Sequence, residues 1–198
     1  MKIVFCLALL ISAPTWASAP CSEVSSHEIK RIQISPQLSL VACAELTKGT
    51  VHNLTLLSVR GKVIEHVFDG DSAWKSYAVE IENKTLVVTE SLNSKGAKPY
   101  VEIKATCLGD KCSTTERCIW KKGKSDEAAL SRAEAQSEKK NPLISDQAMD
   151  EIFYAALNGS ARAFKFLSSN LVNGDAAGSE SFETYKSDLQ RLKNAGCF

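Results

Sequence analysis

Histidine is scarce in this chain, with three in 198 residues, so an active site built on imidazole has few ways to form. The nucleophile elbow G-x-S-x-G, the zinc helix H-E-x-x-H and a glycine-rich phosphate loop are all missing from the sequence. So is C-x-x-C, which removes the usual dithiol redox motif. The Cys107, Cys112 and Cys118 array has no histidine near it and makes a poor zinc site. No apolar run approaches the ~20 residues that a membrane-spanning helix needs. The net charge is +1, and loss of Lys2 with the leader described below leaves the rest near neutral. Such a balance supplies no electrostatic pull toward nucleic acid or an anionic membrane. No cofactor is expected.

Cysteine, by contrast, is plentiful. Cys6 falls in an N-terminal segment that reads as a secretory signal: Lys2, the apolar stretch Ile3 to Ile11, and the small residues Ala17-Ser18-Ala19. Residues 1–19 are therefore expected to be removed, by cleavage after Ala19 or after Ala17. Pro20 before Cys21 does not resemble a lipoprotein acceptor site. The remaining six cysteines, Cys21, Cys43, Cys107, Cys112, Cys118 and Cys197, are an even set suited to an oxidising space, periplasmic or secreted. Three disulfides are expected, from 15 formal connectivities.

The central stretch Tyr100 to Trp120 carries the clearest strand signal. Val101, Ile103, Ala105 and Cys107 alternate with Glu102, Lys104 and Thr106, as a half-buried strand requires. With Leu108-Gly109-Asp110-Lys111 read as a four-residue hairpin loop, Cys107 faces Cys112 and Cys118 faces Val101. Thr114, Thr115, Ile119 and Trp120 suit the return strand. The competing picture is an irregular loop from Leu108 to Arg117 closed by Cys107–Cys118.

Before this stretch, Cys21 to Ser35 is polar and ambiguous. Leu38 to Leu46 reads as a buried strand and Val51 to Phe68 as a hairpin about Arg60-Gly61-Lys62. Asp69-Gly70-Asp71-Ser72 reads as a further turn. Trp74 to Ile81 pairs with Leu86 to Thr89, and Ser91 to Lys98 reads as a loop. The expected fold is α+β: an antiparallel β meander over residues 20–120, as a sandwich or small barrel, then a helical C-terminal region over 143–198. Residues 121–142 are charged, with Leu130 the one large apolar side chain, and read as a solvated helix or linker. In the tail, Ser145 caps a helix carrying Met149, Ile152, Phe153, Ala156 and Leu157, and Asn158-Gly159 stops it. Ser160 to Ser169 forms a second helix and Phe182 to Asn194 a third. The run from Phe153 to Leu167 resembles the helix pair of an ankyrin repeat. It occurs once, so it implies two packed helices and no repeat array.

The best constellation for chemistry is His66 with Asp69 and Asp71, an imidazole and two carboxylates able to face a cation or a water. Against it, Asp-Gly is ordinary turn chemistry. Asp69, Asp71, Trp74, Asn93 and Lys95 lie on loops that suit a contact surface. Trp74, Tyr77, Tyr100 and Trp120 form either an exposed patch or core packing, and parity favours the core. Asn53-Leu54-Thr55, Asn83-Lys84-Thr85 and Asn158-Gly159-Ser160 fit the glycosylation pattern, which matters only in a eukaryotic secretory pathway. The expectation for function is protein binding without catalysis, by an inhibitor or immunity-type protein whose partner is an enzyme. The alternatives are an envelope-directed hydrolase using His66, Asp69 and Asp71, and a structural envelope component that docks through its C-terminal helices.

Overall fold

The computed structural model describes residues 20–24, 26–48, 50–70, 75–93, 96–123, 128, 130–131, 146–170 and 189–198. The expected leader (1–19), Asp71, Trp74, Lys95, Ser145 and residues 182–188 of the third expected helix lie outside them.

A short 3₁₀ turn, Pro20–Val24, leads into eight antiparallel strands: β1 His27–Ser35, β2 Leu38–Thr47, β3 Thr50–Arg60, β4 Val63–Gly70, β5 Lys75–Glu82, β6 Thr85–Leu92, β7 Val101–Leu108 and β8 Lys111–Cys118. Among the described residues two long helices follow, α1 Asp146–Leu157 and α2 Ala161–Asn170, with residues 128, 130–131 and 189–194 also helical. The strands are ordered β1-β2-β3-β5-β6-β7-β8 with β4 also on β3, and they curl into a nearly closed barrel. The α+β expectation therefore holds, and the barrel form applies.

Turn chemistry sets the hairpins. Gly61 and Gly109 both take φ 59° at the first central position of their turns, where an L side chain would be strained. Asn83 and Lys84 both take positive φ, 46° and 62°, the pattern of a type I′ turn. Leu108 pairs with Lys111, so the loop there is two residues rather than four. The cysteine register is nonetheless the expected one, with Cys107 opposite Cys112 and Val101 opposite Cys118.

Two readings need correction. Asp69 and Gly70 are not a turn: they belong to β4, opposite Thr55 and Leu54. β5 then meets β3 at Val51 and Tyr77, again antiparallel, so the chain does not reverse between β4 and β5. Both strands keep one direction along β3. Gly70 is glycine because a Cβ there would lie 2.7 Å from the Tyr77 hydroxyl and 2.9 Å from the Phe68 ring. The second correction concerns 27–35, which is a full strand. Its register shifts near Ile29 and again near Ile34, which breaks the alternation that would have announced it.

The inner face holds one continuous core. Leu40, Leu54, Leu56, Leu86, Val88, Val101 and Ile103 from the strands join Ile152, Leu157, Ala163, Leu167 and Leu192 from the helices. Tyr77 and Tyr100 sit in this core and Trp120 packs against it, as parity indicates. Leu130, in the segment expected to be solvated, is fully buried in the same cluster. On the outer face of β2 and β3, Cys21, Val41, Cys43, Leu57 and Val59 make a second, smaller cluster under the N-terminal turn. Burial on both faces explains the continuous apolar run of β2 from Leu40 to Ala44.

The helices are fastened to the barrel by specific groups. Trp120 stacks on Tyr154 at 4.9 Å between ring centroids. Asn158 Oδ1 accepts hydrogen bonds from Trp120 Nε1 (2.9 Å) and the Gly123 N–H (2.8 Å). Ser160 Oγ accepts from the Ala163 N–H at 3.2 Å and caps α2. Burial pushes the Tyr154 phenol above its ordinary range, with the Asp150 charge adding to the rise and the Lys98 N–H bond opposing it. A neutral phenol thus stabilises the fold fully below the unfolded value, about 10, and that contribution is lost as pH rises through the higher folded value. Urea unfolding at about pH 9 and about pH 11 should show the wild type losing more stability over this interval than Tyr154→Phe. Equal losses would contradict the assignment.

Candidate functional site

Three places in the described structure gather reactive or recognition-competent groups. The first is the expected His66 constellation. His66 and Asp69 are three residues apart, so a regular strand would send them to opposite faces. The register shift opposite Leu56 and Leu57 inserts one residue and turns both outward. His66 Nδ1 then lies 3.1 Å from Asp69 Oδ2, with the side chains 51% and 57% exposed. This is a solvated imidazole–carboxylate pair on a convex strand face. Asp71 lies outside the described residues, and no group of three potential metal ligands occurs among those described. Asn93 is exposed just past the end of β6.

The second place is inside the barrel. Glu90 follows Leu86 and Val88 on the inner parity of β6 and is 0% exposed. A buried carboxylate must find positive partners. Lys75 Nζ, itself buried on β5, lies 3.3 Å from Glu90 Oε1. Arg191, from the last helical segment, grips both Glu90 oxygens at 2.8 and 2.6 Å. Its other nitrogen bonds Glu116 Oε2 on β8 at 2.5 Å. Two cations and two carboxylates thus satisfy one another across four elements. Arg191 and Glu116 also line a surface depression of about 520 Å³ with Gln190, Asn194 and Ala195. Its charged groups are already committed to the ion pairs, which makes this network an internal clamp.

The third place is the β7–β8 hairpin. Its eight residue pairs run without a register shift from Val101–Cys118 to Leu108–Lys111. Cys107–Cys112 closes it near the turn and Cys118–Cys197 holds its base to the C-terminus. The Cys118 N–H also donates to the Ala195 carbonyl at 2.9 Å. On the outer face, directly opposed Glu102 and Arg117 pair at 2.7 Å, and the guanidinium holds the Glu102 carboxyl below the usual carboxylate range. At the turn, Arg60 from the β3–β4 hairpin donates to the Asp110 carbonyl and lies 3.3 Å from its carboxylate. Two hairpin ends are thereby joined. Leu108 stands on this joined end with 91% of its surface exposed, and Val63 with 57%.

The sequence points to the six disulfide cysteines, the β7–β8 register and the His66–Asp69 proximity, but not to the Glu90 clamp or to the exposed tip at Leu108. A glutamate on the apolar parity of T-L-V-V-T-E-S-L was a readable sign of a buried charge. A leucine as the last strand residue before a Gly-Asp turn was a sign of an exposed apolar tip. Compared with protein-family models, curated proteins and solved structures, the chain finds no significant match in any of the three.

Two outcomes follow for these residues. Arg191→Met leaves Glu90 with Lys75 alone and should cost about 3 kcal/mol or more in urea unfolding, the scale of a broken buried pair. A loss under about 1 kcal/mol would mean that the clamp is not needed. His66→Ala, on an exposed face, should change stability by no more than about 0.5 kcal/mol in the same measurement.

Proposed function

We propose that this is an exported, non-catalytic binding protein of the inhibitor or immunity type, which blocks a partner enzyme in the periplasm or outside the cell. The observation that carries the reading is Leu108, 91% exposed at the end of a hairpin closed near its tip and tied at its base by disulfides. An exposed leucine held on a rigid support loses little conformational freedom when it enters a cleft, and that favours tight association. Three disulfides suit an oxidising extracellular compartment. No helix among the described residues is long and apolar enough to cross a membrane. In this reading the positions Asp69, Asp71, Trp74, Asn93 and Lys95, expected from the sequence to make contact, are secondary, and the hairpin end is primary.

The hydrolase alternative rests on the 3.1 Å contact between His66 and Asp69. It requires His66→Ala to abolish turnover of an envelope substrate in a protein that stays folded. The binding reading requires a different result. With the partner isolated by affinity capture, Leu108→Asp should weaken binding at least about thirtyfold, the effect expected of a dominant interface residue. Its urea unfolding should stay within about 0.5 kcal/mol of wild type. An unchanged dissociation constant would refute the assignment of the hairpin tip as the contact.

A further inference from the structure

The chemistry of the hairpin end narrows what it can enter. Residues 60–63 and 108–111 place three cations, Arg60, Lys62 and Lys111, beside one carboxylate, Asp110. Arg60 and Asp110 offset each other, which leaves the exposed Lys62 and Lys111 as the excess charge of this end, around Leu108 and Val63. From this pattern we infer that the end docks in an apolar pocket, rimmed by carboxylates, on a protein partner. The inference rests on the binding reading above and specifies the partner's chemistry.

Leu108 supplies the central contact, because an apolar side chain gains by leaving water only where the pocket is itself apolar. Lys62 and Lys111 sit at the rim, where opposite charges speed encounter and exclude partners of the wrong sign. The Arg60–Asp110 pair fixes the spacing of the two tips before contact. A bilayer with anionic headgroups offers the same pairing of apolar and negative surface. It fits less well. One leucine buries far less than a single myristoyl chain, which by itself binds only marginally.

The test uses the full mature protein with a photo-activatable benzophenone residue at position 108, and a second form carrying it at position 93. Each is irradiated in native envelope extract at low and high salt, and each is also sedimented with phosphatidylglycerol vesicles. The expected result is one protein cross-linked from position 108. Its yield should fall at least about fivefold in the Lys62→Glu/Lys111→Glu double variant and in high salt. Lys30→Glu, an exposed lysine on β1, should leave the yield unchanged. Thermal unfolding of the double variant should match that of wild type, since both positions are exposed. A yield from 108 that ignores both charge reversal and salt overturns the acidic rim. A protein reached from 93 and not from 108 overturns the inference while leaving protein binding intact. No cross-linked protein from either position defeats the binding reading as well. Charge-dependent sedimentation with the vesicles and no protein product assigns the tip to lipid and overturns the proposal.

Discussion

The register of β7 against β8 is the constraint on which most of this architecture depends. Of the four cross-strand pairs it sets on the inner face, three carry the ties: Cys107 with Cys112, Ile103 with Glu116, and Val101 with Cys118. The first closes the turn. The second presents a carboxylate inward to Arg191, and the third aims a sulfur at Cys197. A slip of β8 by one residue would send Cys112, Glu116 and Cys118 to the opposite face. Tip, internal clamp and C-terminal attachment would then fail together.

The clamp explains why the barrel and the helices share one core. Glu90 is buried at a point where β5 supplies only one cation, and the second arrives from a residue 101 positions later. The disulfide at Cys197 holds that late segment where Arg191 can reach. Covalent and electrostatic ties therefore act on the same short helix. β8 is a terminal strand of the sheet, and its inward-pointing Glu116 is also a known defence of such edges against pairing with other chains.

Much of this was legible in the residues, and the failures have identifiable causes. The hairpin registers of β5–β6 and β7–β8 follow from period-two alternation and Gly or Asn at the turns. β1 escaped notice because two register shifts disrupt its alternation. Asp69-Gly70 looked like a turn because glycine has two uses, positive φ and close approach, and composition does not distinguish them. Here Tyr77 lies against the Gly70 backbone, so the second use applies. The proximity of His66 and Asp69 was foreseen, but the reason for it, a bulge that turns both outward, depends on the pairing with β3. The Glu90 clamp joins residues too distant in sequence for spacing to link them, and it could be read only as a charge on an apolar face.

The Cys118–Cys197 bond spans 79 residues and ends one position from the C-terminus, whereas Cys107 and Cys112 are only five apart. If the chain reaches an oxidising space N-terminus first, its local bridge can close long before Cys197 appears. Until then Cys118 carries a free thiol six residues from Cys112. Early closure of the short loop withdraws both of its neighbours from exchange and leaves Cys118 waiting for its distant mate. The order in which the sulfurs arrive thus guards against the wrong pairing.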